Sequence, residues 1–256
     1  MIGFLIKKSF YDLWDNLLKA LLLNFGFMAS LLIPIFLPSL FSTFLLELAA
    51  LFAGILWCTV YLAAAAFSLR AVSDYGSFGF ADFFANLKAY WHYGIVAGVF
   101  VCAAYVLYAM VLPFYLSLNS VQGLFLASMV LWSSIAVVLA LQFFFAIRGR
   151  LDTKLPDVIK KCFIILVDNP GFCVYVFFHS TVMLLLSVCT AFLFPGVSGV
   201  LLFLDEGLRL RLLKYDWLDL NQSANRRKIP WNVLLTEERE KTGDRSLRSF
   251  IFPWKD

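Results

Sequence analysis

The chain has 256 residues, of which 62% are hydrophobic and 15% charged, and its mean hydropathy is +0.83. A soluble domain carries about a quarter charged residues. Here the deficit is gathered into long uncharged runs, which excludes an ordinary soluble globular domain and points to an integral membrane protein. The net charge is only +4, so no nucleic-acid partner is expected, and the placement of the cations says more than their sum.

The stretch FYDLWDNL at 10–17 opens the pattern. Phe10, Leu13, Trp14, Leu17 and Leu21 follow i, i+3, i+4, i+7, i+11 and line one face of a helix. Asp12 falls in what this register makes a first turn, where a carboxylate complements the helix dipole, and Ser9 with Asp12 resembles a capping box. Asp12 and Asp15 also exclude the basic flank of a cleavable signal peptide. A first span follows at about 18–38 and a second at 44–69, each near the ~20 apolar residues that cross a bilayer. FADFFANL at 80–87 repeats the opening pattern, with Phe80, Phe83, Phe84, Leu87 and Trp91 on one face and Asp82 at its start. Spans at about 94–117 and 121–147 come next. LPDVIKKCF at 155–163 supplies a third copy with Leu155, Val158, Ile159, Cys162 and Leu166, and with Asp157 at its start. Spans at about 171–194 and 196–214 complete six. Pro34, Pro38, Pro113 and Pro195 fall near span ends, where they close helices.

All 21 Lys and Arg lie in the N-terminal segment, the 70–93 link, the 148–170 link, or from Arg209 onward. The positive-inside rule therefore puts both termini and both long links in the cytoplasm, with lipid as the first partner. The expected fold is an all-α membrane protein with six transmembrane helices as three hairpins. Each hairpin is preceded by a cytoplasmic amphipathic interfacial helix, which makes a threefold pseudo-repeat. The repeated aromatics read as interface anchors. The five cysteines have no CxxC pairing and read as buried thiols.

Four segments carry a likeness: DNLLKALLLNFGFMASLLIPI, SLRAVSDYGSFGFADFFANLKAYW, FAIRGRLDTKLPDVIKKCFIILVDNP, and the final helix running from FPGVSGVLLF into RLRLLKY. Over residues 1–215 the chain resembles the YesL-like family of bacterial integral membrane proteins. It departs where the family continues IPI with Thr, Gly and Pro, since FLPSLFST stands here. The resemblance implies a bacterial inner-membrane protein with an accessory role beside a carbohydrate ABC-type permease.

Ionisable groups at membrane depth are the functional candidates. Glu47 lies one turn inside the outer end of the second span and reads as an interfacial carboxylate. Asp205, counted from Gly196 as an outer end, comes ~14 Å deep, with Glu206 beside it; with a short or tilted last helix, DEGLRLR instead lies near the cytoplasmic surface. Arg209, at i+4 from Asp205 and i+3 from Glu206, is their expected ion-pair partner. His179 sits alone in an apolar span without ligand spacing and reads as a core histidine. Asn24, Gln142 and Ser128 are candidates for interhelical hydrogen bonds. No P-loop, GxGxxG, GxSxG or HExxH occurs, so no enzyme, cofactor or metal is expected. The leading reading is a non-enzymatic membrane scaffold. The alternative is a small transporter or substrate-binding membrane subunit with Asp205 and Glu206 in a polar cavity.

Residues 216–256 read as a cytoplasmic tail. Its eight cations and seven acids make no polybasic anchor. It contains a polar linker from Asn221 to Asn225, a basic Arg226–Lys228 cluster and a short helix at 236–241. Either it lies extended on the membrane surface, or it docks a partner through Phe250, Phe252 and Trp254.

Overall fold

The computed structural model describes residues 1–151, 153–221, 225 and 229–243. Among these there are helices and turns and no strand. The helices are α1 (Ile2–Asp15), α2 (Leu17–Phe36), α3 (Phe44–Ser73), α4 (Phe80–Val106), α5 (Leu112–Ser117), α6 (Val121–Leu141), α7 (Phe144–Leu151), α8 (Leu155–Asp168), α9 (Pro170–Cys189), α10 (Gly196–Leu220), α11 (Trp231–Leu234) and α12 (Thr236–Thr242). A π-helical turn, Leu107–Val111, joins α4 to α5. Five stretches are long and apolar enough to cross a membrane: Leu17–Leu40, Phe44–Ser73, Phe80–Ser117, Val121–Leu151 and Pro170–Cys189. The protein is an all-helical, multi-pass membrane protein.

The sixth expected span, 196–214, lies in α10, which is helical but is not among those five. It runs on to Leu220 and packs against α1, α2, α3, α7 and α9. Being surrounded by protein rather than lipid, it can carry polar residues along most of its length.

Its start is not at the far end of the bundle. Asn24 Nδ2 donates to the carbonyls of Leu193 (2.8 Å) and Pro195 (3.0 Å), and Asn24 Oδ1 accepts from the Ser198 N–H (2.8 Å). These bonds fix the turn before α10 level with Asn24, which at 1.5 Å per residue is ~18 Å short of the α2 end at Phe36. One side chain thereby bonds three backbone groups at a depth where no lipid group could do so. Gln142 also bonds across helices, donating to Cys173 O (3.0 Å), while Ser128 turns back onto its own helix at Phe125 O (2.7 Å).

The three amphipathic segments fold differently from one another. α1 begins at Ile2, earlier than its pattern implies, because Leu5 packs against Gly207 of α10 and Leu13 against Gly199. It runs antiparallel along α10 and buries Leu5, Lys8, Ser9, Tyr11 and Leu13, while Trp14 of the expected face is 41% exposed. Asp12 is therefore near the end of α1, not in its first turn, and the Ser9–Asp12 capping box does not form. The second copy does start a helix, with the Gly79 N–H donating to Asp82 Oδ2 (2.7 Å), but α4 continues unbroken from it into the span. The third, α8, is a separate helix with Asp157 in its first turn and Val158, Cys162 and Ile165 buried. α1 and α8 both stop at an asparagine, Asn16 and Asn169, whose backbone leaves the helical region.

α3 and α4 pack most closely of all, through Gly94 and Gly98. A Cβ at Gly94 would stand 2.4 Å from Val60 Cα, and one at Gly98 2.5 Å from Thr59 Oγ1. Such small-xxx-small spacing lets two backbones approach in a membrane. Gly94→Val should therefore force the pair apart and cost about 1–3 kcal/mol, lowering the unfolding temperature in detergent. Gly171, with nothing within 4 Å of a Cβ, should accept Ala with a gain of up to about 1 kcal/mol in the same measurement.

Candidate polar centre

Where α10 passes the ends of α3 and α7, its acidic residues meet cations from other helices. Asp205 is held by Arg150 of α7, whose Nε donates to Oδ1 at 3.1 Å and whose Nη2 donates to Oδ2. The same guanidinium reaches Asp74 Oδ1 (3.1 Å) and Ser73 Oγ (2.8 Å) at the end of α3. Arg209 does not pair with Asp205 or Glu206. Its Nη1 donates to Ser73 O (2.6 Å) and Asp74 Oδ1 (2.7 Å), and its Nη2 to Glu238 Oε1 (2.7 Å) of α12. The helical spacing that brings such pairs together on an exposed face gives way here, because Asp205 and Arg209 each find better-placed partners on other elements.

Lys8 of α1 is fully buried. Its ammonium donates to Asp12 and to Ser73 O (3.1 Å), stands 3.5 Å from Glu206 Oε1, and lies 4.0 Å from the centre of the Tyr75 ring. Tyr75 adopts a left-handed backbone, φ +61°, a conformation that non-glycine residues seldom take. That turn aims its hydroxyl at α12, where it donates to Glu238 Oε2 (2.8 Å). Burial pushes the Tyr75 phenol above its ordinary range, and the bond to Glu238 acts the same way. Leu235 is fully buried beneath this contact, so residues 231–242 are part of the folded body and not an extended tail. Residues 226–228 and the docking candidates Phe250, Phe252 and Trp254 lie outside the described residues.

A second fastening joins α10 to the α8–α9 junction. Lys214 Nζ donates to Asp168 Oδ2 (3.1 Å) and Asn169 Oδ1 (2.9 Å), and Tyr215 donates to Asp168 Oδ2 (2.7 Å). Burial alone raises the Asp168 carboxyl, but the bonds from Tyr215 and Lys214 outweigh it and hold the group below its ordinary value.

The depth of Asp205 follows from its neighbours. It shares a small cavity with Ala66 and Gln142. Ala66 lies ~33 Å along α3 from Phe44, and Gln142 ~31 Å along α6 from Val121. Asp205 is therefore at the edge of a ~30 Å hydrocarbon layer measured from the far ends of those helices, not near its midplane. The ~14 Å count fails because Gly196 starts inside the bundle. That cavity measures about 10 Å³, room for one water at most.

Glu47 stands in the first turn of α3, ~39 Å along the helix from Ser73. His179 packs its ring 4.2 Å from that of Phe203 and 5.9 Å from that of Tyr175. Neither joins the centre. Lys8, Ser73, Asp74, Tyr75, Arg150 and Glu238 join it without having been singled out. The one signal that marks Arg150 and Asp74 in the sequence is their position in the two basic links. Among the described residues no group of three His, Cys, Asp or Glu is placed to hold a metal.

Asp205→Ala should leave the buried Arg150 guanidinium only Asp74 and Ser73 as partners and cost up to about 3–5 kcal/mol. Replacing both partners by apolar residues of similar volume should recover most of that loss in thermal unfolding. Asp168 contributes stability that is present above its unfolded value near 3.9 and is lost as pH falls through its lower folded value. Asp168→Asn should therefore flatten the acid limb of a stability-versus-pH curve.

Against this geometry, no family model, no curated protein and no solved structure matches the chain. The functional reading rests on the residues themselves.

Proposed function

We propose that this protein is a non-enzymatic accessory or scaffold subunit of a bacterial cytoplasmic membrane, YesL-like in kind, that assists a carbohydrate ABC-type uptake system. In this reading six membrane-embedded helices form three hairpins, the third entering only part of the way, and both termini are cytoplasmic. The observation that carries it is the closed state of the polar centre. Asp205, the residue a transporter would use, is bound to Arg150 and borders a cavity of about 10 Å³. A transport path lined by Asp205 and Glu206 needs a continuous polar cavity, and the packing around them supports a fastening instead. The placement of every Lys and Arg in the N-terminal segment, the two long links or the segment from Arg209 onward supports the orientation.

A scaffold needs surface, and the α4–α6 hairpin supplies it. The apolar window of Phe80–Ser117 is only 6% buried within the chain, with Val99, Val101, Tyr105 and Phe114 outward. Lipid or the helices of another membrane protein can cover such a face.

Purification in mild detergent followed by mass spectrometry should recover a membrane permease in fixed proportion. The protein reconstituted alone into vesicles should move no sugar. Uptake by the purified chain, abolished in Asp205→Asn, would overturn the scaffold reading in favour of the transporter. The contribution of the C-terminal aromatics is isolated by deleting 244–256, because a cut at 229 also removes the buried Leu235 and Glu238. Retention of the partner after the shorter deletion would place its docking elsewhere.

A further inference from the structure

We propose that Glu206 is a buried proton-binding site: its carboxyl group is neutral in the folded protein and directs its O–H toward Asp12. Glu206 has no exposed surface. Its Oε2 is buried without a donor, a position that costs free energy for an ionised oxygen and is relieved when that oxygen itself carries a proton.

The neighbouring carboxylates are differently served. Asp12 takes the Lys8 ammonium, Asp205 takes Arg150, Asp74 takes Arg150 and Arg209, and Glu238 takes Arg209. The cation nearest Glu206 is Lys8, at 3.5 Å, and its other donors are committed to Asp12 and Ser73 O.

The groups that face Glu206 can be named element by element. From α1 come Lys8 and Asp12, and from its own helix Asp205. The turn after α3 brings Tyr75, which lies over Lys8 rather than on the carboxyl. Arg150 of α7 and Arg209 of α10 are spent on Asp205, Asp74 and Glu238. The neighbouring Gly207 faces Phe172 and Val176 of α9 and Leu5 of α1, so that side of the helix is apolar. Two other carboxyl groups, Asp12 and Asp205, thus stand beside Glu206: Asp205 has its own guanidinium, and Glu206 must share the Lys8 ammonium with Asp12. Two carboxyl groups sharing a site hold a proton between them. Burial raises the Glu206 carboxyl well above its ordinary value, Lys8 opposes this, and Asp12 and Asp205 reinforce it.

The direction of the pH effect follows. A carboxyl raised in the folded state contributes stability that is fully present below its unfolded value and is lost as pH rises through its folded value. Proton release would leave a second anion against Asp12 where α1 crosses α10, and that crossing is what alkaline pH should loosen.

The test compares the full-length wild type with Glu206→Gln in detergent, by thermal unfolding across pH 5–9 and by infrared spectroscopy of the carboxyl C=O stretch. Gln keeps the size and the neutral charge of a protonated Glu and can donate to Asp12. The variant is expected to be at least as stable as wild type at neutral pH. It should lose one proton's worth of pH dependence, up to a tenfold change in the folding constant per pH unit, and a protonated-carboxyl band present in wild type. A variant that is less stable or fails to fold would show an ionised Glu206 paired with Lys8 and overturn the proposal. So would a carboxyl band that persists in the variant, or one absent from wild type.

Discussion

The Arg150–Asp205 contact joins α7 to α10 where neither side chain keeps as much as a tenth of its surface in solvent. Taking a guanidinium and a carboxylate out of water costs several kcal/mol per ion, and their attraction offsets this only when geometry and the remaining hydrogen bonds are good. Arg150 therefore spends its other donors on Asp74 and Ser73. Ser73 in turn offers its carbonyl to both Lys8 and Arg209. Each demand draws in another element, until α1, α3, α7, α10 and α12 share one layer. Moving any of them leaves a buried charge unpaired, so the layer fixes their mutual register more sharply than apolar contact does.

The same layer explains why α10 escapes a hydropathy criterion. A helix that faces lipid must be apolar around its circumference, whereas one enclosed by five others has to match only its neighbours. Small residues Gly196, Ser198 and Gly199 face the crowded start, and the charged residues begin where the surrounding helices end in polar links. Asn24 makes this arrangement possible from the other side. It lets the chain turn at mid-height, so α10 can place its acids at the bundle's basic end without crossing the full thickness.

Much of the fold was legible in the sequence because lipid imposes a strong filter: five apolar runs of sufficient length are present as helices. The cation-bearing links likewise located the polar end. What was not legible was partner choice. Arg209 at i+4 from Asp205 is a sound local pattern, but local spacing carries no information about Asp74 or Glu238, which are distant in sequence. The register of α1 failed for a related reason. Of its expected stripe in α1, Leu13 is buried while Trp14 stays outward, and Leu5 and Lys8, which lay outside the stripe, are buried against α10. Lys8 is the instructive residue, since a lysine would not be assigned to a core before its counter-charges are known.

The C-terminal helices complete the argument. Without the Glu238 side chain, Arg209 would retain Asp74, itself already engaged by Arg150, and the Tyr75 hydroxyl would keep only the Glu238 backbone carbonyl (3.1 Å) and Thr242 Oγ1 (3.3 Å). The left-handed φ of Tyr75 is held in place by this set of bonds to α12, because a solvent-facing tyrosine could relax to an ordinary turn. Leu235 supplies the apolar half of the closing segment, fully buried as part of the main apolar core of the bundle. The segment 231–242 thus covers the Tyr75 and Arg209 side of the polar layer, while Asp74 stays 41% exposed. The layer's low solvent exposure, on which the strength of its ion pairs depends, is a property of the bundle and this short closing segment together.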